Sequence, residues 1–188
     1  MADALTARAR MIVGAARRLL EEEGPEALTM RRLADQLGIR APSLYKHFPH
    51  KAALEVAIII DGFAEAAEIF AAATDGAADP LAAFAASYRD FAKSHPHVYR
   101  LMTERPLPRE QLPAGLEAGT AAPLLRATGD PARARAAWAF MHGLTLLELN
   151  DRLPSDELTE PAWCIGIQQF QPPRTPTSHP RRQQTGAS

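Results

Sequence analysis

Apolar residues recur at helical spacing along nearly the whole chain. In residues 6–23, Ile12, Ala15, Ala16, Leu19 and Leu20 share one helical face, while the arginines and Glu21–Glu23 fall on the side expected to meet water. Thr6 is placed to cap this helix and Gly24-Pro25 to stop it. Thr29 then caps a second helix with Leu33, Ala34 and Leu37 as its buried stripe, and Gly38-Ile39-Arg40 forms a turn. A third, short helix is expected over Ala41–His47, with Pro42 in its first turn and Leu44 and Phe48 pointing back to the core. Pro49 and His50 break the chain, and Lys51 opens a long helix to about Thr74 whose apolar side is Leu54, Ile58, Phe63 and Ile69.

The remainder is built the same way. Asp79-Pro80 pairs an N-cap with a first-turn proline and opens a helix to about Ser94; Pro96 starts a short one through Met102. Residues 104–115 are a proline-rich loop, and a weaker helix follows near Leu116–Ala127. Asp130-Pro131 opens a strong helix to about Arg152. It has two apolar faces, Trp138, Met141, Thr145 and Leu149 on one, Phe140, Leu144 and Leu147 on the other. Such a helix is expected to be covered on both sides, one by the body and one by a partner subunit. A last helix near Pro161–Phe170 carries Trp163, Ile165 and Ile167, and residues 171–188 are expected to be a disordered tail. The fold class is therefore all-α. A three-helix head over residues 1–51 precedes a helical bundle over 52–170.

Composition narrows the function. Nine Lys and Arg stand against six Asp and Glu in residues 1–51, and twelve against sixteen in residues 52–188, so a basic head sits on an acidic body. Cys164 is the single cysteine, which suits a reducing compartment without intrachain disulfides. MADALTARAR holds no apolar run of signal-peptide length, and stretches such as Val56–Ile60 are too short to cross a bilayer. The expectation is a cytoplasmic protein with no membrane partner. There is no P-loop, dinucleotide fingerprint or nucleophile elbow, so no enzyme is expected. His95 and His97 flank Pro96 without cysteine or carboxylate partners at ligand spacing, so no metal and no cofactor is expected.

The chemistry lies in TMRRLADQLGIRAPSLYKHFPHK, residues 29–51. Two short helices joined by a glycine turn make a helix-turn-helix, whose second helix enters the DNA major groove. With Leu33, Leu37, Ile39, Leu44 and Phe48 locking the helices together, Arg40, Ala41, Ser43, Tyr45, Lys46 and His47 are left outside. Arg40 and Lys46 are candidate guanine readers and Ser43 suits base or phosphate. Tyr45 offers a hydroxyl donor, and Lys51 adds its charge at a helix N-terminus.

The run Leu28–Leu54 resembles the signature of the TetR family of bacterial transcription regulators. Its Tyr-x-His pair is matched by Tyr45 and His47, its glycine turn by Gly38 and its later lysine by Lys51. The resemblance implies DNA contacts from Arg31, Ala41, Pro42, Ser43, Tyr45, Lys46, His47 and Lys51, with Thr29 beside them. Where the family often has a second threonine, this chain has Met30. The stretches Tyr88–Met102 and Ala137–Pro154 resemble one TetR branch with a Trp then His-Gly on its penultimate helix, here Trp138, His142 and Gly143. That branch implies a pocket for a small-molecule effector in each subunit and a homodimer through the last two long helices. The large residues Tyr88, Phe91, Tyr99, Met102, Trp138, Met141 and His142, with Thr145, are the candidate pocket, and its apolar character suggests a hydrophobic effector. Phe140, Leu144, Leu147, Trp163 and Ile167 are the candidate seam. The functional expectation is a repressor on a palindromic double-stranded DNA operator, released by that effector. The competing readings are a helical small-molecule-binding protein without sequence-specific DNA binding, and an activator using the same head.

Overall fold

The computed structural model describes residues 5–154 and 156–173. Its elements are α1 (Ala7–Glu23), α2 (Met30–Gln36), α3 (Ala41–Tyr45), α4 (Lys51–Thr74), α5 (Pro80–Ser94), α6 (Pro96–Thr103), α7 (Leu116–Thr128), α8 (Pro131–Leu149) and α9 (Thr159–Gln168). A short 3-10 turn at Arg109–Gln111 interrupts the proline-rich loop, and no strand occurs among the described residues. The side-chain caps fall where short polar residues precede apolar runs. Thr6, Thr29, Asp79 and Asp130 each accept a backbone N–H three residues on, from Ala9, Arg32, Ala82 and Arg133. In Asp79 this bond, together with the amide of Gln171, holds the carboxyl below its ordinary pKa.

The helix α4 is the spine. It packs against α1 in the head and against α5, α6 and α7 in the body. Leu54, Ile58, Ala66 and Phe70 are buried along it, continuous with Ile12, Ala16 and Leu19 of α1 and with Leu81, Phe84 and Tyr88 of α5. Each fully buried leucine or isoleucine contributes about 1.5–3 kcal/mol, so the stripe shared by head and body is a major stabilising term. Ile69, expected on this stripe, is 36% exposed, because it lies on the outer side of α4 past Phe63.

Two charged contacts tie α1 to the body, and both correct the expectation that its polar side meets only water. Arg17 pairs with Asp61 at 2.6 Å and Glu65 at 2.5 Å on α4. The Glu21 carboxylate accepts the N–H groups of His97 (3.1 Å) and Val98 (2.8 Å) in the first turn of α6. The N-cap of α6, His95, supplies no side-chain bond, so a glutamate from the head fills that role. At its other end α6 holds α8, whose last carbonyl at Leu149 and the side chain of Asn150 accept from Arg100. The helix α8 ends at Leu149, short of the expected Arg152, because Asp151 turns to φ 50.

The last two helices are joined closely. The Phe140 ring lies over Gly166, where an added Cβ would clash with the ring. Trp163 packs edge-on to Phe140, lies under the Arg89 guanidinium at 5.3 Å, and donates its indole N–H to Glu148 at 3.0 Å. Arg89 also pairs with Glu148 and Glu160, both at 2.6 Å, clamping α5 to α8 and α9. Gly166→Ala is expected to destabilise the chain by about 1–3 kcal/mol through this clash, read as a lower midpoint in thermal or urea unfolding.

Candidate nucleic-acid interface

The short helix α3 is set by its neighbours rather than by its own length. Leu33, Leu44 and Phe48 are buried, and α2 packs on α3. Gly38 supplies the turn with φ 63, a conformation costly for a residue with a Cβ. There Gly38 donates to the Asp35 carbonyl and Ile39 to Ala34. Regular helix stops at Tyr45, two residues before the expected His47. His47 and Phe48 still donate to the Leu44 carbonyl, in a turn that brings Phe48 into the core ahead of Pro49. Lys46 and His47 therefore stand on that turn, beside Tyr45.

Of the predicted contact residues, Thr29, Arg31, Arg40, Pro42, Ser43, Tyr45, Lys46 and His47 are exposed, and Ala41 and Lys51 are half-buried. Arg31, Arg40 and Lys46 form no ion pair among the described residues, whereas the neighbouring Arg32 is held by Glu23 at 2.6 Å. Lys51 is partly engaged, donating to the Pro25 carbonyl at 3.3 Å with Glu55 3.7 Å away. One residue here escaped sequence reading. His50, taken as a chain break, caps α4 by accepting the Ala53 N–H at Nδ1. A histidine at N-cap is uncommon enough that its spacing before Lys51 carries little signal. The result is an exposed face with three cations that are unpaired among the described residues, a hydroxyl and a half-exposed phenol. Phosphate and base edges take up such groups.

The predicted pocket residues divide. Tyr88, Phe91, Tyr99, Met102, Met141 and Thr145 are buried, His142 is half-buried, and Trp138 is 46% exposed. Trp138 lies at the edge of the inward face of α8, so it flanks the core where an interior position was expected. Phe91 turns away toward Phe70 and His95. The structure joins Tyr88, Tyr99 and His142 in a row: the two phenol oxygens are 2.8 Å apart, and that of Tyr99 is 2.7 Å from Nδ1 of His142. Burial pushes the Tyr88 pKa up to about 12, opposed by its polar neighbours Tyr99 and Trp138, and raises that of Tyr99 further. Burial lowers the pKa of His142, opposed by Glu104, so the imidazole is neutral at pH 7. Two surface cavities, of about 470 and 310 Å³, lie elsewhere: one between the end of α4 and α7 at Thr74, Asp75 and Arg126, the other at Arg89, Lys93 and Glu148. Neither touches the predicted pocket.

The predicted seam also divides. Leu147 is exposed and Phe140 and Leu144 are half-buried, but Trp163 and Ile167 are only 5% exposed. Those two pack inside the protomer, so the outward apolar side chain of α9 is Ile165, at 62%. Among the described residues, no cluster of His, Cys, Asp and Glu has the makings of a metal site, and no helix is long and apolar enough to cross a membrane.

Comparison with known proteins agrees with this geometry. Residues 12–58 match the model of bacterial regulatory proteins of the tetR family, and residues 81–170 match the tetracyclin repressor-like C-terminal domain. The HTH-type transcriptional regulator Rv0681 of Mycobacterium tuberculosis is 32% identical over 149 residues, covering 73% of this chain and 68% of that protein. The class C tetracycline repressor protein of Escherichia coli is 46% identical over 55 residues, covering 29% of this chain and 23% of that repressor. The crystal structure of the multidrug binding protein EbrR complexed with imidazole superposes with a TM-score of 0.67 at 25% identity, covering 91% of this chain and 98% of that one.

The cap at Thr29 gives a direct check on how α2 is held. Thr29→Ala is expected to lower stability by about 1 kcal/mol, and Thr29→Ser to restore most of it, in urea unfolding with an unchanged m-value.

Proposed function

Because the chain belongs to the tetR family of bacterial regulatory proteins, a family of transcription regulators and not of enzymes, we propose that it is a cytoplasmic, effector-released repressor. In this reading it binds a palindromic operator as a homodimer. The observation that carries it is the exposed, unpaired set Arg40, Ser43, Tyr45 and Lys46 on a helix and turn whose other side is locked by Leu44 and Phe48. A packed scaffold under exposed, hydrogen-bonding tips is what sequence reading in the major groove requires. Arg31, Lys51 and Thr29 serve the flanking phosphates, with Ala41 and Pro42 admitting the backbone closely and His47 at the edge.

Residues 1–51 act as the head and residues 52–170 as the effector and dimer body; the tail expected over residues 171–188 lies, from residue 174 on, outside the described residues. Two heads must stand about 34–36 Å apart, or a multiple, to meet successive major-groove faces, which a two-fold dimer provides. The outward row Ala139, Gly143 and Leu147 of α8, beside Ile165 of α9, is the proposed seam: small residues let helices approach and two large apolar side chains want cover. Phe140 and Leu144 support it from beneath. The crystal structure of EbrR, a multidrug binding protein complexed with imidazole, supports an interior that accepts a small molecule. That effector is mainly hydrophobic, and it releases DNA by favouring a body in which α4 and α6 hold the heads at the wrong spacing.

Fluorescence anisotropy with DNA from upstream of the gene for this chain, against random competitor, tests the reading. Tight binding that survives competition is expected. Tyr45→Ala should weaken it at least about tenfold, the order of one good base or phosphate contact, without altering the melting temperature. Weak binding, equal for any DNA, would contradict it.

A further inference from the structure

The polar row inside the body ends on two groups that the protein itself leaves unused. Thr145 is fully buried, and its hydroxyl has no hydrogen-bond partner. An orphan hydroxyl in a core carries a desolvation cost that a Val would avoid. His142 lies one turn back on the same face of α8, and among the described residues its Nε2 has no protein partner.

Counting protons shows what these groups offer. Each phenol of Tyr88 and Tyr99 has one proton to give. If Tyr88 donates to Tyr99 and Tyr99 donates to Nδ1 of His142, every buried proton of the row is used and Nε2 carries the imidazole proton. The opposite order strands the Tyr88 proton in the core, where Tyr99 is its single hydrogen-bond partner among the described residues. His142 is thus a neutral donor at Nε2, and Thr145 Oγ is a second donor one turn away. Over the imidazole lies one further group, the half-exposed indole of Trp138, stacked at 24° with centroids 5.8 Å apart. The nearby Glu104 carboxylate is paired with Arg100 at 3.4 Å, so no net charge there calls for an ionic ligand.

We propose that Trp138, His142 and Thr145 form the recognition point for an uncharged, planar aromatic effector bearing an acceptor oxygen, such as an aryl ketone. The carbonyl oxygen accepts from Nε2 of His142 and from the Thr145 hydroxyl, and the ring lies against the indole, which swings aside on entry. The adaptable side chains of Met102 and Met141 yield the space. This rests on the body being the effector domain, and it adds which atoms choose the effector and by what chemistry.

Calorimetry on the full chain with 2-acetylnaphthalene and its isostere 2-isopropenylnaphthalene, in which a CH2 replaces the oxygen, provides the test. The ketone is expected to bind about tenfold more tightly, the worth of one to two neutral hydrogen bonds. Thr145→Val should keep or raise the melting temperature, since it removes an unpartnered hydroxyl, and should shrink the ketone's advantage by about threefold or more. Quenching of indole emission by the ketone, lost in Trp138→Leu, should locate the ring. Equal affinity for both compounds, binding of neither, or an unchanged ketone advantage in Thr145→Val would each overturn the proposal. Operator binding measured on the same samples keeps this separate from the regulator reading: intact DNA binding with no ketone preference sinks the recognition point alone. Lost DNA binding with the preference intact sinks the regulator alone.

Discussion

Every helix must satisfy the donors of its first turn, and α6 cannot do so from its own cap. Its first two free N–H groups are taken instead by Glu21, on the first helix of the head. Buried or half-buried donors of this kind are costly to leave open, about 1–3 kcal/mol each, so α1 cannot rotate away from α6 without a new partner appearing. The same short helix carries Tyr99 into the interior row and clamps the end of α8 through Arg100. Eight residues therefore touch the head, the polar interior and the penultimate helix at once. A disturbance at Tyr99 reaches Glu21 along little more than one helical turn.

The other tie, Arg17 on Asp61 and Glu65, joins α1 to the spine. Together the two contacts fasten α1 to the middle of α4 and to the first turn of α6. The proposed effector release depends on such ties between head and body. The row Tyr88–Tyr99–His142 is bonded internally, with both tyrosines buried, and lines neither of the two surface cavities described above. In the proposed effector release, an entering ligand selects or creates a different packing, and its differential affinity for the two packings sets how far DNA binding falls.

Much of this was legible in the sequence because it is local. Thr6, Thr29, Asp79-Pro80 and Asp130-Pro131 announce helix starts within three or four residues, and the structure places those starts there. The exposed face of α3 follows from the spacing of Leu33, Leu44 and Phe48. What escaped is non-local or depends on which of two apolar faces wins. Glu21 looks like a solvated glutamate, since its partners lie 76 and 77 residues away. On α9, Trp163 and Ile167 turn inward and Ile165 outward because Gly166 seats the Phe140 ring, a fit that periodicity does not reveal. On α8, nearly uniform hydrophobicity hides that Trp138 stands half in solvent. His50 reads as a breaker, yet its ring nitrogen caps the spine.

The central claim is that this chain reads one two-fold DNA site through the α3 face. Footprinting of the purified full chain on DNA upstream of its gene tests it most directly. The account predicts a discrete protected palindrome, with half-site centres separated by about 10–10.5 base pairs or a multiple, and no protection elsewhere at the same concentration. Protection spread evenly along the fragment, or none at concentrations that already coat random DNA, would contradict it.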